Sequence, residues 1–245
     1  MERRSPACNE CGYCEAFPPG AATSAAVSEL KAAEFGEIAE AVLSRVKQRL
    51  SGVRSRLVPA AVSARHVHLS PDVLEQLYGR GYELERHRPL SQPRQFAARE
   101  TVTLVGTRMH SVEGVRILGP LRDYTQVELA RTDGVVLGIE LPVRDSGRLE
   151  GSAPIVLAGP KGAVSLAQGA IRAARHIHAS ENEAQELGIC DGQCVSIRVH
   201  GEKAVVFENV LVRVRSDYKL EMHVDTDDAN AADIHCDMFV EIVET

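Results

Sequence analysis

The sequence predicts a mainly β protein in which two related halves each form a closed or nearly closed β-barrel capped by short α-helices, preceded by an N-terminal amphipathic helix. Three observations carry this. The string Ala-Arg-His-x-His-x-Ser occurs twice, at Ala64–Ser70 and again at Ala174–Ser180. Short apolar and β-branched runs separated by turn residues fill nearly all of the chain from Leu57 onward, as in barrels rather than parallel sheets. At 245 residues the chain is long enough to divide into two small cores.

Taken in order, residues 1–27 read as a disordered tail, with Pro6, Pro18, Pro19 and Gly20 followed by small residues from Ala21 to Ala26. Cys8, Cys11 and Cys14 form C-x-x-C-x-x-C there, one thiolate short of a closed four-ligand metal site. A metal or redox role and a tail with incidental thiols both stay open. Residues 28–52 hold an amphipathic helix: Phe35, Ile38, Val42, Val46 and Leu50 recur at three and four, widened by Ala39 and Leu43. Its apolar face has two readings, packing on the main body or docking to a partner.

Strands are expected at Leu57–Val62, Glu100–Val105, Val115–Leu118, Val127–Leu129 and Val135–Leu141, with turns at Glu113-Gly114 and Asp133-Gly134. A Gly/Ser/Pro-rich linker near Gly147–Pro160 is the expected division, giving halves 53–150 and 151–245. Beyond it come Ile155–Leu157, Val164–Leu166, Gln193–His200, Ala204–Val206, Val210–Val214, Lys219–Val224 and Met238–Val243. Each histidine string runs into a helix start. Ser70 can cap a helix with Pro71 at its first position, and Ser180 with Glu183 makes a capping box. Gly79 and Gly188 are the matching stops.

Composition excludes several classes. A net charge of −6, no tryptophan and 4% aromatic residues argue against a nucleic-acid binder. Nothing approaches the roughly 18–20 apolar residues of a membrane span, and no signal peptide or Rossmann or P-loop fingerprint is visible. The expected location is cytoplasmic.

The chemistry lies in the histidine pairs. On a strand, His66 and His68 share one face roughly 6.5–7 Å apart while Val67 points opposite, a spacing that lets two imidazoles hold one metal ion. His176, Ile177 and His178 repeat the arrangement. Glu128 is a candidate third ligand for the first pair and His223 for the second; a solvated carboxylate and a half-buried imidazole are the alternatives. Three-ligand sites keep a position open for substrate. Arg122 is the candidate phosphate clamp, with a surface ion pair to Asp123 as its alternative. His87, His110, His200 and His235 lack a paired partner, and Cys190, Cys194 and Cys236 are scattered.

The strings Arg65–Ser70, Pro89–Pro93, Gln95–Ala98, Glu100–Val102, Leu118–Pro120, Arg131–Asp133, Ala174–His178 and Leu220–His223 resemble the PduL-type phosphate acyltransferases. These are the phosphotransacylases of bacterial microcompartments, also called phosphate propanoyltransferases. The likeness runs from about residue 57 to the end. It implies two β-barrels with a dinuclear zinc site between them. His66, His68 and Glu128 would hold one zinc ion, His176, His178 and His223 the other, and Arg122 the phosphate. The implied reaction is CoA + acyl phosphate ⇌ acyl-CoA + phosphate, with coenzyme A as a substrate and a homo-oligomer as the expected state. Residues 28–50 are similar to the family's encapsulation helix, which implies docking to microcompartment shell or cargo and a place in the lumen. The cysteine triplet is not part of the matched motifs, and Ala232–Asp237 departs from the family's usual Gly-Asp turn. Two rival readings of the same residues are a dinuclear metal-dependent hydrolase and a non-catalytic microcompartment-associated binding module.

Overall fold

The computed structural model describes residues 56–236 and 238–243. The expected tail and amphipathic helix, with Cys8, Cys11 and Cys14, lie outside the described residues. Among those described, the strands in order are β1 (Leu57–Ser63), β2 (His66–His68), β3 (Arg86–Pro89), β4 (Phe96–Val105), β5 (Ser111–Gly119), β6 (Gln126–Glu128) and β7 (Val143–Arg144). There follow β8 (Ala153–Ala158), β9 (Ala163–Ala173), β10 (His176–Ala179), β11 (Cys194–Val199), β12 (Val205–Val214), β13 (Glu221–Asp225) and β14 (Phe239–Val243). Four short helices are α1 (Pro71–Tyr78), α2 (Arg131–Leu137), α3 (Glu181–Leu187) and α4 (Thr226–Ala232).

Two closed six-stranded barrels result, and they are copies in topology. The first runs β9-β6-β2-β5-β4-β8 and returns to β9, with β3 and β7 paired outside the ring. The second runs β1-β13-β10-β12-β11-β14 and returns to β1. Each successive pair has the same sense in both, parallel where β9 meets β6 and β1 meets β13, antiparallel where β6 meets β2 and β13 meets β10. α1 and α2 follow β2 and β6, as α3 and α4 follow β10 and β13.

The halves are therefore not 53–150 and 151–245. β8 and β9 complete the first barrel, and β1, at the start of the described chain, fills in the second the place that β9 fills in the first. The stretch expected as a linker contains β8. The backbone crosses between barrels at Ala64–Arg65, joining β1 to β2, and at Ala174–Arg175, joining β9 to β10. The repeated Ala-Arg of the sequence is this crossing.

Strand alternation sorts the residues. Val67, Ile117 and Val127 point into the first core and Ile177, Val212 and Met222 into the second, all fully buried. Burying an aliphatic side chain of this size contributes about 1.5–3 kcal/mol. The intervening histidines must then lie on the outer barrel faces. Leu74 and Leu77 of α1 and Leu187 of α3 extend these cores beyond the strands.

Helix ends follow the expected chemistry in part. Ser180 accepts from Glu183 N at 3.4 Å while Glu183 Oε2 accepts from Ser180 N at 2.8 Å, and Gly188 ends α3 at φ +67°. Ser70 precedes Pro71 but makes no side-chain cap; its hydroxyl meets Thr125 Oγ1 at 3.1 Å. Val135–Leu141, expected as a strand after an Asp133-Gly134 turn, is instead largely helix α2 and its exit. Asp133 Oδ2 accepts from Ala130 N at 3.0 Å and so caps that helix, while Leu137 seats it in the core. Gly106 allows the close approach, since a Cβ there would fall 1.9 Å from Leu137 O. Ala204–Val206 and Val210–Val214 form one strand, β12.

The barrels are fastened to each other beyond the crossings. Gln92, in the β3–β4 loop, is 3% exposed; its amide donates to Lys219 O at 2.9 Å and accepts from Lys219 N at 3.2 Å. Arg94 pairs with Asp217, and Thr132 N of α2 donates to Asp227 of α4 at 2.9 Å. Arg65 and Arg175 reach Asp133 and Asp228, which hold the third position of α2 and α4. Among the described residues no helix is long and apolar enough to cross a membrane.

Candidate metal centre

Register across the strands brings together both candidate ligand sets. On the first barrel, His66 stands opposite Glu128 and His68 opposite Gln126. On the second, His176 stands opposite His223 and His178 opposite Glu221. The third member of each trio is thus the cross-strand neighbour of the first histidine. His66 Nε2 lies 3.5 Å from Glu128 Oε2, and the His66 and His68 rings are 5.0 Å apart. His176, His178 and His223 rings lie 4.7–5.1 Å from one another. Within each trio one donor atom per residue falls within 4.8 Å of the other two, the scale of a shared ion.

The crossings orient the rings. His66 Nδ1 lies 2.8 Å from Ala64 O, and His176 Nδ1 lies 2.8 Å from Ala174 O. A ring that donates Nδ1–H to these carbonyls keeps the Nε2 lone pair for a ligand, the usual support of a metal-bound histidine. His68 Nδ1 and His178 Nδ1 are buried with no hydrogen-bond partner. His223 Nε2 is in the same condition, for Glu221 Oε2 stands 3.0 Å away but off the direction of a formed bond. Buried polar atoms left unsatisfied are costly, and here they gather beside five imidazoles and a carboxylate. The donor set therefore fits two divalent cations of the zinc type.

Burial and mutual proximity set the charge states. Burial, then neighbouring His223, lowers His176 to about 4. Burial, then His176 and His223, lowers His178 to about 2, and burial with neighbouring His66 and Arg122 holds His68 well below an ordinary imidazole. For Glu128 burial pushes upward, but His66, His68, His176 and a Ser146 hydrogen bond outweigh it and hold the carboxyl at about 2. The result near neutrality is unprotonated His68, His176 and His178 beside an ionised Glu128, the form that ligates metal.

Glu128 of the first trio and His176 and His223 of the second line one cleft, together with Ser63 and Asp225. A separate cavity of about 370 Å³ lies at α2, lined by Arg108, Arg131, Arg172 and Leu141 among others and by none of the six ligands. Arg122 stands beside the first trio. Its backbone N–H donates to Leu69 O at 2.9 Å, and Nη1 lies 3.3 Å from Tyr124 Oη and 3.4 Å from Ser146 Oγ. Ser146 in turn donates to Glu128 Oε1 at 3.0 Å. The guanidinium is thus held by hydroxyls rather than by Asp123.

Sequence reasoning passed over Gln126, Ser146, Ser91 and Glu221. Gln126 and Glu221 had a signal, each standing two residues before a third ligand on the same strand face; the serines come from loops and had none. His200 pairs with Glu241 at 2.8 Å and His110 Nδ1 meets Val136 O at 3.0 Å, both outside the trios. Cys190, Cys194 and Cys236 are exposed, and among the described residues they join no ligand cluster.

Comparison with known proteins gives a consistent result. A family model described as phosphate propanoyltransferase matches residues 59–235. A phosphate propanoyltransferase of Lachnoclostridium phytofermentans is 49% identical over 84% of this chain and 96% of its own length. The protein of that name from Thermotoga maritima is 46% identical over 84% and 99%, and that from Salmonella typhimurium 44% over 79% and 91%.

Proposed function

The chain belongs to the phosphate propanoyltransferase family, and we propose from this that it interconverts acyl-CoA plus phosphate with acyl phosphate plus CoA, the acyl group being acetyl or propanoyl, at a dinuclear zinc site. The observation that supports the site is that Glu128 of one trio and His176 and His223 of the other line one cleft, while Arg122 is joined to Glu128 through Ser146. His66, His68 and Glu128 would hold one ion and His176, His178 and His223 the other. Ions bound there would supply Lewis acidity toward the acyl carbonyl and the phosphoryl oxygens.

The protein's own groups account for binding and orientation. Arg122, steadied by Tyr124 and Ser146, presents a planar fork suited to two phosphoryl oxygens and opposes the charge that grows as phosphate leaves. The CoA sulfur attacks the acyl carbon, the C–S bond forms, and the C–O bond to phosphate breaks with its electron pair going to phosphate. The thiol proton passes to a phosphate oxygen. Residues 28–50 would serve as the docking segment for microcompartment shell or cargo, on their apolar stripe at helical spacing.

Metal analysis joined to a thiol-dependent assay tests this. Purified protein is expected to carry two divalent ions, to consume acetyl or propanoyl phosphate only with CoA, and to lose that activity on chelation. Acyl phosphate loss independent of CoA would instead make the protein a hydrolase, and no loss under any condition would make it a binding module.

A further inference from the structure

The duplicated topology makes every position of one trio comparable with a position of the other. His66 matches His176, His68 matches His178, and Glu128 matches His223 by strand register. By the same register Gln126 matches Glu221, since each faces the second histidine of its pair and stands two residues before the third ligand. Both are buried, Gln126 at 0% and Glu221 at 9% exposure. We propose that Gln126 and Glu221 are a matched pair of positioning residues, each orienting the third ligand of its own trio, with amide or carboxylate chosen by the hydrogen-bonding character of that ligand.

The contacts are complementary in this sense. Glu128, a carboxylate, can only accept, and Gln126 Nε2 donates to its Oε1 at 2.5 Å. Gln126 is itself fixed, donating to Ser146 Oγ at 2.8 Å and accepting from Gly147 N at 2.8 Å. His223, an imidazole, has one ring proton to place, and the carboxylate of Glu221 stands 3.0 Å from its Nε2. A bond from Nε2–H to that oxygen would satisfy this nitrogen and leave Nδ1, 3.4 Å from Ser63 Oγ, as the one that keeps its lone pair for an ion. Glu221 is held by Ser91 Oγ at 2.6 Å and by Gln92 Nε2 at 3.2 Å. A serine thus backs each positioning residue. For the second trio that serine comes from the β3–β4 loop of the opposite barrel, so the joint between barrels also supports the ligand.

This rests on the dinuclear reading and is tested apart from it, by cobalt(II) titration of metal-free protein followed by visible absorption. Wild type is expected to take two equivalents. Glu221→Gln replaces a charged acceptor with a neutral amide and should weaken one ion by about 10- to 100-fold, leaving the other unchanged. Gln126→Glu sets carboxylate against carboxylate and should do the same to the other ion, so that the double variant is weakened at both. Ser91→Ala, a milder change remote from either ion, should weaken the same ion as Glu221→Gln to a smaller degree. Two equivalents in wild type with unchanged affinities in the single variants would overturn the inference alone, as would a single variant that weakens both ions together. Fewer than two equivalents in wild type would overturn the dinuclear reading and the inference with it.

Discussion

Arg122 shows how one residue's role depends on neighbours the chain brings from elsewhere. Its guanidinium is held by Tyr124 two residues on and by Ser146 from a later loop, and through Ser146 it is joined to Glu128. A hydrogen bond to a charged group contributes about 1.5–3 kcal/mol, so Arg122→Ala should raise the KM for phosphate by ~10- to 100-fold. The KM for CoA should change far less, and Arg122→Lys should recover part of the loss, because lysine supplies the charge without the fork. Unchanged phosphate saturation in the alanine variant would remove the clamp from the mechanism. At this scale the two His-x-His pairs were legible in the sequence, because alternation on a strand needs no knowledge of partners. Glu128 and His223 were weaker candidates, because what brings each beside a histidine pair is the strand it faces.

Among the elements, the sequence signals worked where they were local and misled where packing decides. Pro71, the Ser180–Glu183 box and Gly188 marked helix ends that the structure contains. In α2 the run Gly134-Val135-Val136 has poor helix propensity, yet the Asp133 cap and burial of Leu137 outweigh it. α4 escaped notice because its buried face is only Ala229 and Ala232, too small to draw an apolar stripe. Every residue proposed for the centre lies on β2, β6, β10 and β13 or on a loop between residues 91 and 146. Deletion of residues 1–50 should therefore leave thiol-dependent turnover and metal uptake at the wild-type level while abolishing co-sedimentation with microcompartment shells. Loss of metal uptake in that truncated protein would mean that the N-terminal region is needed for the centre to form.

For the whole molecule, the mainly β class and the duplication were legible, and the point of division was not. A Gly/Ser/Pro-rich stretch is a reasonable place to cut, but strand pairing in a closed barrel is long-range and leaves no local mark. The exchange of β1 predicts which fragments fold. Residues 64–173 contain all six strands of the first barrel and its trio, and should melt cooperatively and bind one divalent ion. Residues 54–150 lack β8 and β9 and should show neither property by circular dichroism or cobalt absorption. Cooperative melting of the shorter fragment would contradict the closed ring.

The two Ala-Arg crossings have one more consequence. Both are short, both run straight into a histidine pair, and both hold the leading imidazole through an alanine carbonyl. Any movement of one barrel against the other would be felt first at His66 and His176, because the same two alanine carbonyls that join the barrels also set those rings.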